Sequence, residues 1–313
     1  MATTHRLAAD QVHYEWNNAL EPRLEIDPGD TVSFDTRDAA DGYYSKDSTH
    51  ADVLGRGPFR GHPLTGPVRV RGAAPGDTLV VEVLGMEPAA DFGWTAIRPG
   101  RGLLPEADFP KPHLQIWDVS DHAYARMGLG IAVPLGCFPG VMGTALDEAG
   151  GHSTMPPRKN GGNMDIKHLT VGSTLYLPVW VDGALFSIGD GHGAQGDGEV
   201  CVTAVEMAAH VTLRFALQRG RPIPEPRLRT SPTARRSVGT CFVTTAHGPD
   251  LFASSQQAIR YMIDHLVEER GLSREQAYIL SSVAVDLSIS EIVDAPNWIV
   301  SASLPESIFA GGR

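Results

Sequence analysis

The chain has 313 residues, 42% of them hydrophobic and 20% charged, enough to build a sizeable folded core. Its formal net charge is −11. It therefore lacks the basic footprint that nucleic acid requires and is disfavoured at anionic membrane surfaces.

The three cysteines, Cys137, Cys201 and Cys241, form no C-x-x-C pair and suit neither a disulfide framework nor a zinc ribbon. The opening residues carry no apolar signal core, and no stretch approaches about eighteen consecutive apolar residues. The expectation is a soluble, cytoplasmic protein.

In chain order, three segments share one grammar. Residues 25–36, 72–86 and 168–181 each place a Pro-Gly-Asp or Val-Gly-Ser turn before a Thr and a β-branched run. Glycine supplies the turn, and the run that follows fits a pleated surface, so each starts a strand. Further strands are expected at 12–16, 66–72, 200–206 and 210–217. The last alternates Val211, Leu213, Phe215 and Leu217 with Thr212, Arg214 and Ala216, the period of a half-buried strand. Near residue 220 the composition turns to Pro and Arg, and residues 219–237 read as a surface connection. After one more strand at 239–247, helical periodicity appears. Ser254 and Gln257 suggest a capping box, Ile259, Met262, Ile263, Leu266 and Val267 form an apolar face, and Gly271 is a C-terminal cap. Ser273 and Gln276 form a second box. The fold class expected is mainly β with α/β additions, a β-sandwich-like core with a small helical C-terminal element. Residues 1–220 would be the β-rich core carrying the site, and residues 221–313 an α+β region packed on it.

Residues 189–199, GDGHGAQGDGE, contain a literal G-x-G-x-x-G at Gly191, Gly193 and Gly196. The dinucleotide reading fails because the following run is β-branched and the loop acidic. Asp190 and His192, at i and i+2, would share a face of an extended segment, as would Asp197 and Glu199. Carboxylate plus imidazole suits zinc or a related ion. Spacing alone leaves that reading and a hydrogen-bonded glycine-rich turn both open. A second constellation, residues 158–169, offers Asn160, Asn163, Asp165 and Lys167, readable as an Asn-Gly turn or as amide donors, a carboxylate and a fixed cation. His62 and the His50–Asp52 pair are secondary candidates, and Cys137 could be an exposed thiol or an inert one.

HPLTGPV (62–68), KNGGNMDIKHLTVGSTLYLPVWVDGALFSIGDGHGAQGDGEV (159–200) and VAVDLSISEIVDAPNWIVSASLP (283–305) resemble the acetamidase/formamidase family. The resemblance runs in order from about residue 10 to about residue 310. It implies hydrolysis of short aliphatic amides to carboxylate and ammonia, a β-sandwich-like core, and a homodimer or larger assembly. No Gly-Gly-Ser-Ser-Gly run of a Ser-Ser-Lys amidase is present. The mechanism expected uses a divalent metal and no organic cofactor. Asp165, Asp190 and His192 would be ligands, Glu199 the general base, Asn163 or Gln195 the oxyanion donor and Lys167 the fixed cation, with His62, Asp197 and His50 in reserve. The alternatives are a structural calcium site using Asp165, Asp190 and Asp197, and a thiol amidase using Cys137.

Overall fold

The computed structural model describes residues 2–232 and 239–309. The turns expected to start strands do so. Gly29 and Gly76 sit at φ 106° and 93°, a region closed to most side chains. The aspartate after each closes its turn. Asp30 accepts hydrogen bonds from the backbone nitrogens of Thr3 and Asp27, and Asp77 from those of Ala74 and Gly220. Strands Thr31–Thr36 and Thr78–Pro88 follow, and Thr174–Pro178 follows the Val-Gly-Ser turn.

These strands belong to a six-stranded sheet ordered Thr4–Leu7, Thr31–Thr36, Ala209–Gln218, Thr78–Pro88, Thr174–Pro178, Arg227–Arg229. Along Ala209–Gln218 the alternation expected from sequence holds: Val211, Leu213 and Phe215 are buried, while His210, Arg214 and Ala216 face solvent. A second, eleven-stranded sheet runs from Ile131–Pro134 through Tyr124–Gly128, His113–Asp118, Phe92–Ile97, Glu206–Met207, Phe186–His192 and Phe138–Gly143 to Gly161–Asn163. One hydrophobic cluster fills the space between the two sheets. Phe34 and Phe215 from the first sheet meet Phe186 of the second edge-to-face, with ring centres 6.0 and 5.1 Å away. This is a sandwich, as the sequence reading held.

A second cluster joins the far part of the large sheet to the C-terminal elements. These are a three-stranded sheet, Cys241–Gly248, Trp298–Pro305 and Asp286–Glu291, and two helices, Leu251–Arg270 and Arg274–Ala284. Ile259, Met262, Ile263 and Leu266 form the buried face of the first helix, and Gly271 caps it in the left-handed conformation. The Ser273–Gln276 box caps the second. Among the described residues, no helix is long and apolar enough to cross a membrane.

Three expectations need correction. The first helix starts at Leu251, capped by the Asp250 side chain on the Ala253 nitrogen, and Ser254 is buried within it. Residues 200–205 form turns and not a strand, because Glu199 and Val202 take φ of 42° and 77°; only Glu206–Met207 pair. The connection at 219–237 includes the short edge strand Arg227–Arg229, and its residues 233–237 lie outside the described residues.

Candidate active site

The centre of the site is His192, 1% exposed, at the end of the strand Phe186–His192. Asp190 lies two residues earlier on the same strand, and its carboxylate reaches His192 Nε2 at 3.4 Å. The neighbouring strand places Glu206 opposite His192 in register, with its Oε2 3.3 Å from the same nitrogen. Glu199 approaches from the following loop at 4.0 Å. Asp165 comes from the loop after Gly161–Asn163, and its carboxylate groups with His192 and Glu199. His62 stands 3.8 Å from Asp190 on the other side. Phe138 packs edge-on against the His192 ring at 5.1 Å.

The backbone is bent to assemble this cluster. Asp165, Asp190 and Glu199 all sit at left-handed φ, 48°, 59° and 42°, uncommon for residues other than glycine. Such conformations persist where surrounding structure enforces them. For Glu199 the enforcement comes from the C-terminal region. Gly196 donates to the Ser282 carbonyl at 2.9 Å, Leu287 to the Asp197 carbonyl at 3.0 Å, and Cys201 to Ser282 Oγ at 3.0 Å. A side chain at Gly196 would lie 2.1 Å from the Val285 carbonyl oxygen, so only glycine lets the loop sit this close. For Asp165, the Gly140 carbonyl accepts from the backbone nitrogens of Met164 and Asp165.

Gln195 fixes the imidazole. Its amide nitrogen donates to the Asp165 carbonyl at 2.8 Å, so its oxygen faces His192 Nδ1, 2.9 Å away. An amide oxygen only accepts, so Nδ1 carries a proton and Nε2 is directed at the carboxylates.

Four carboxylates around one imidazole in a dry site are electrostatically costly. Burial, with the neighbouring Asp165 charge, pushes Glu199 well above its usual range. Burial pushes Glu206 up to about 8 and Asp165 up to about 7, the Asp190 charge adding to both against the pull of His192. Asp190 is the exception: burial opposes its ionisation, but His192 and His62 outweigh that and hold it below its usual range. Burial disfavours the charged His192 ring, yet Glu206 and Asp190 raise it well above 6.5. Among the described residues, Asp165 Oδ1, Asp190 Oδ1, His192 Nε2 and Glu206 Oε2 are buried without a hydrogen-bond partner. Two ligand sets share His192: Asp190–His192–Glu206 and Asp165–His192–Glu199. A tetrahedral ion with ligand bonds of about 2.0–2.2 Å needs ligand atoms roughly 3.3–3.5 Å apart. The 3.3 and 3.4 Å separations of the first set meet that requirement.

The remaining candidates lie elsewhere. Asn163 has a buried, unpartnered Oδ1 near the cluster's loop. The segment at 164–168 is not extended, so Asp165 turns inward while Lys167 turns out to ion-pair with Asp197 and Asp286. Asp197 and Glu199 part for the same reason, one in that ion pair and the other beside His192. His50 stacks on His113 at 4.0 Å and accepts from the Leu114 nitrogen, away from the cluster. Cys137 lies in a cavity wall, and burial pushes its thiol up to about 11. Glu206 was not anticipated. The one sequence signal for it was a lone carboxylate inside the apolar run VCVTAVEMAA, a combination costly to bury without a purpose.

Comparison with known proteins gives one answer. The family model described as Acetamidase/Formamidase family matches residues 2–149 and 147–311. A formamidase of Methylophilus methylotrophus is 30% identical over 96% of this chain and 89% of its own length. Among solved structures, a gamma lactamase from Delftia acidovorans superposes with a TM-score of 0.90 at 28% identity, covering 96% of this chain and 90% of that one. An acetamidase from Bacillus halodurans gives 0.68 at 33% identity, covering 98% of this chain and 100% of that one.

Proposed function

The chain belongs to the acetamidase/formamidase family, and from that membership we propose how its buried cluster hydrolyses amides. The protein is a hydrolase of linear amide C–N bonds, acting on short amides of the formamide and acetamide type. The reaction adds water to the carbonyl carbon, breaks the C–N bond and releases carboxylate and ammonia.

The reading assigns a divalent ion of the zinc type to Asp190, His192 and Glu206. The observation that supports it is the convergence of Asp190 Oδ2 and Glu206 Oε2 on His192 Nε2, at 3.4 and 3.3 Å, where Glu206 Oε2 and His192 Nε2 are buried with no hydrogen-bond partner among the described residues. A nitrogen at the centre of the set favours zinc over calcium, which takes six to eight oxygens. Asp197 is engaged by Lys167, which removes a ligand from the calcium alternative. When bound, the ion supplies an acidified water and polarises the carbonyl oxygen.

The chain's own residues do the rest. Gln195 holds the imidazole in the tautomer that presents Nε2. Glu199, whose affinity for a proton is raised by burial and the neighbouring Asp165, takes one from the attacking water in its ionised form and passes it to the departing nitrogen. Asp165, grouped with Glu199 around His192, adds the negative charge that favours the protonated form of Glu199. Near-complete burial of Asp190, His192 and Glu206 keeps competing water away.

The test follows ammonia release from formamide and acetamide for the protein and for Glu206→Gln and His192→Ala, with bound metal measured in each. Loss of both turnover and metal in the two variants, with a native circular dichroism spectrum, is the expected result. Retained turnover in His192→Ala refutes the assignment.

A further inference from the structure

Beside the buried cluster lies a cavity of about 730 Å³, between the sandwich and the C-terminal region. Formamide and acetamide would fill only a small fraction of it; volumes of about 300–1,000 Å³ hold much larger ligands. Its walls mix polar groups with apolar side chains, Met86, Val133, Leu135, Val171, Val283 and Ile308 among the latter.

Two loops connect cavity and cluster. Residues 163–171 carry Asp165 inward and Lys167, Thr170 and Val171 into the cavity wall. Residues 193–199 carry Glu199 inward and Ala194, Gln195 and Asp197 into the wall. Gln195 lines the cavity and holds His192 at 2.9 Å. Gln195 is therefore the residue the cavity and the cluster share, and of Glu199, Asp190, His192 and Glu206 the first is the most open, its side chain 16% exposed against 4% or less for the others. The polar part of the wall carries His122, His168, Asp197, Asp286 and Lys167; the two carboxylates pair with the one Lys167 ammonium and, with the imidazoles neutral, leave one excess negative charge. An acyl group bearing a carboxylate would be repelled there, whereas a neutral hydrocarbon would lie along the apolar side chains.

We propose that this cavity is an acyl-group site, and that the protein hydrolyses neutral primary amides with hydrocarbon chains of about four to six carbons more efficiently than formamide or acetamide. The inference rests on the cluster being the amide-cleaving centre. The chemistry is unchanged: water adds to the carbonyl, the C–N bond breaks, and the longer carboxylate and ammonia leave. What changes is the binding of the acyl chain, where each buried methylene contributes about fourfold.

The experiment measures kcat/KM for ammonia release from formamide, acetamide, butyramide and hexanamide, with the protein and with Val171→Trp. Val171 is 43% exposed and lines the cavity, so a larger ring there adds bulk at the cavity and not in the core. The series is expected to rise about fourfold per methylene to hexanamide. Val171→Trp should lower hexanamide turnover at least tenfold and leave formamide within about twofold. A flat or falling series overturns the proposal while the proposed function stands, as does an equal effect of Val171→Trp on both substrates. If no amide is cleaved, the proposed function itself fails. Calorimetric binding of hexanamide, lost in Val171→Trp, would then still support the cavity, and no binding would overturn it.

Discussion

Gly140→Ala adds a single methyl group to the centre of the site. Gly140 lies on the strand Phe138–Gly143, in a backbone conformation open to any residue, so the change brings no backbone penalty. Its Cβ would stand 2.6 Å from Asp165 Oδ1 and 2.9 Å from both Asp190 Oδ2 and His192 Cε1. Ordinary contact begins near 3.4 Å, so the groups must move apart by roughly 0.8 and 0.5 Å. Displacement of reacting groups by about 1 Å costs on the order of 10²-fold in rate. Stability should change little: alanine in a strand gains about 0.5–1 kcal/mol over glycine, against a crowding cost of about 1–3 kcal/mol. The assay pairs kcat/KM for ammonia release from formamide with thermal unfolding. A loss of about 10²-fold with Tm within about 5 °C is expected. Activity within threefold of the parent would refute the placement of the chemistry at this cluster.

Three further outcomes follow from the same geometry. Gln195→Leu removes the hydrogen bond to His192 Nδ1 and the one to the Asp165 carbonyl that fixes the amide, and should weaken metal affinity and activity by about 10–100-fold, read by competition with a chromophoric chelator. Cys137→Ala should leave kcat within about twofold, because a thiol pushed to about 11 supplies on the order of 10⁻⁴ of its population as thiolate at pH 7. Burial holds His13 neutral and lowers its pKa to about 4, below the 6.5 of the unfolded chain. Its contribution is complete above pH 6.5 and is lost as pH falls toward 4, about 3 kcal/mol in all. Urea unfolding at pH 7 and pH 4 should therefore show a smaller loss of stability in His13→Gln than in the parent, and equal losses would contradict this.

Local chemistry made much of the fold readable. The Pro-Gly-Asp turns, the alternation along Ala209–Gln218 and the Ser273 box act within a few residues, and each is where the sequence places it. The strand Phe138–Gly143 is not legible in the sequence because it is buried on both faces and carries glycines, which removes the alternation. In the site, Asp190 and His192 follow from their spacing on one strand. Glu206 does not, because it meets His192 through strand register across a loop. The split of Asp165 from Lys167, and of Asp197 from Glu199, comes from left-handed residues whose conformations are imposed by distant contacts such as Gly196 against Val285. No local rule encodes those contacts.

The account turns on an ion at His192, Asp190 and Glu206, and one measurement bears on it most directly. The protein is dialysed against a chelator until elemental analysis finds no bound metal, assayed for ammonia release from formamide, and titrated with zinc. The account predicts that turnover disappears and returns in proportion to zinc, saturating at one equivalent per chain. Full turnover in the metal-free protein would contradict it.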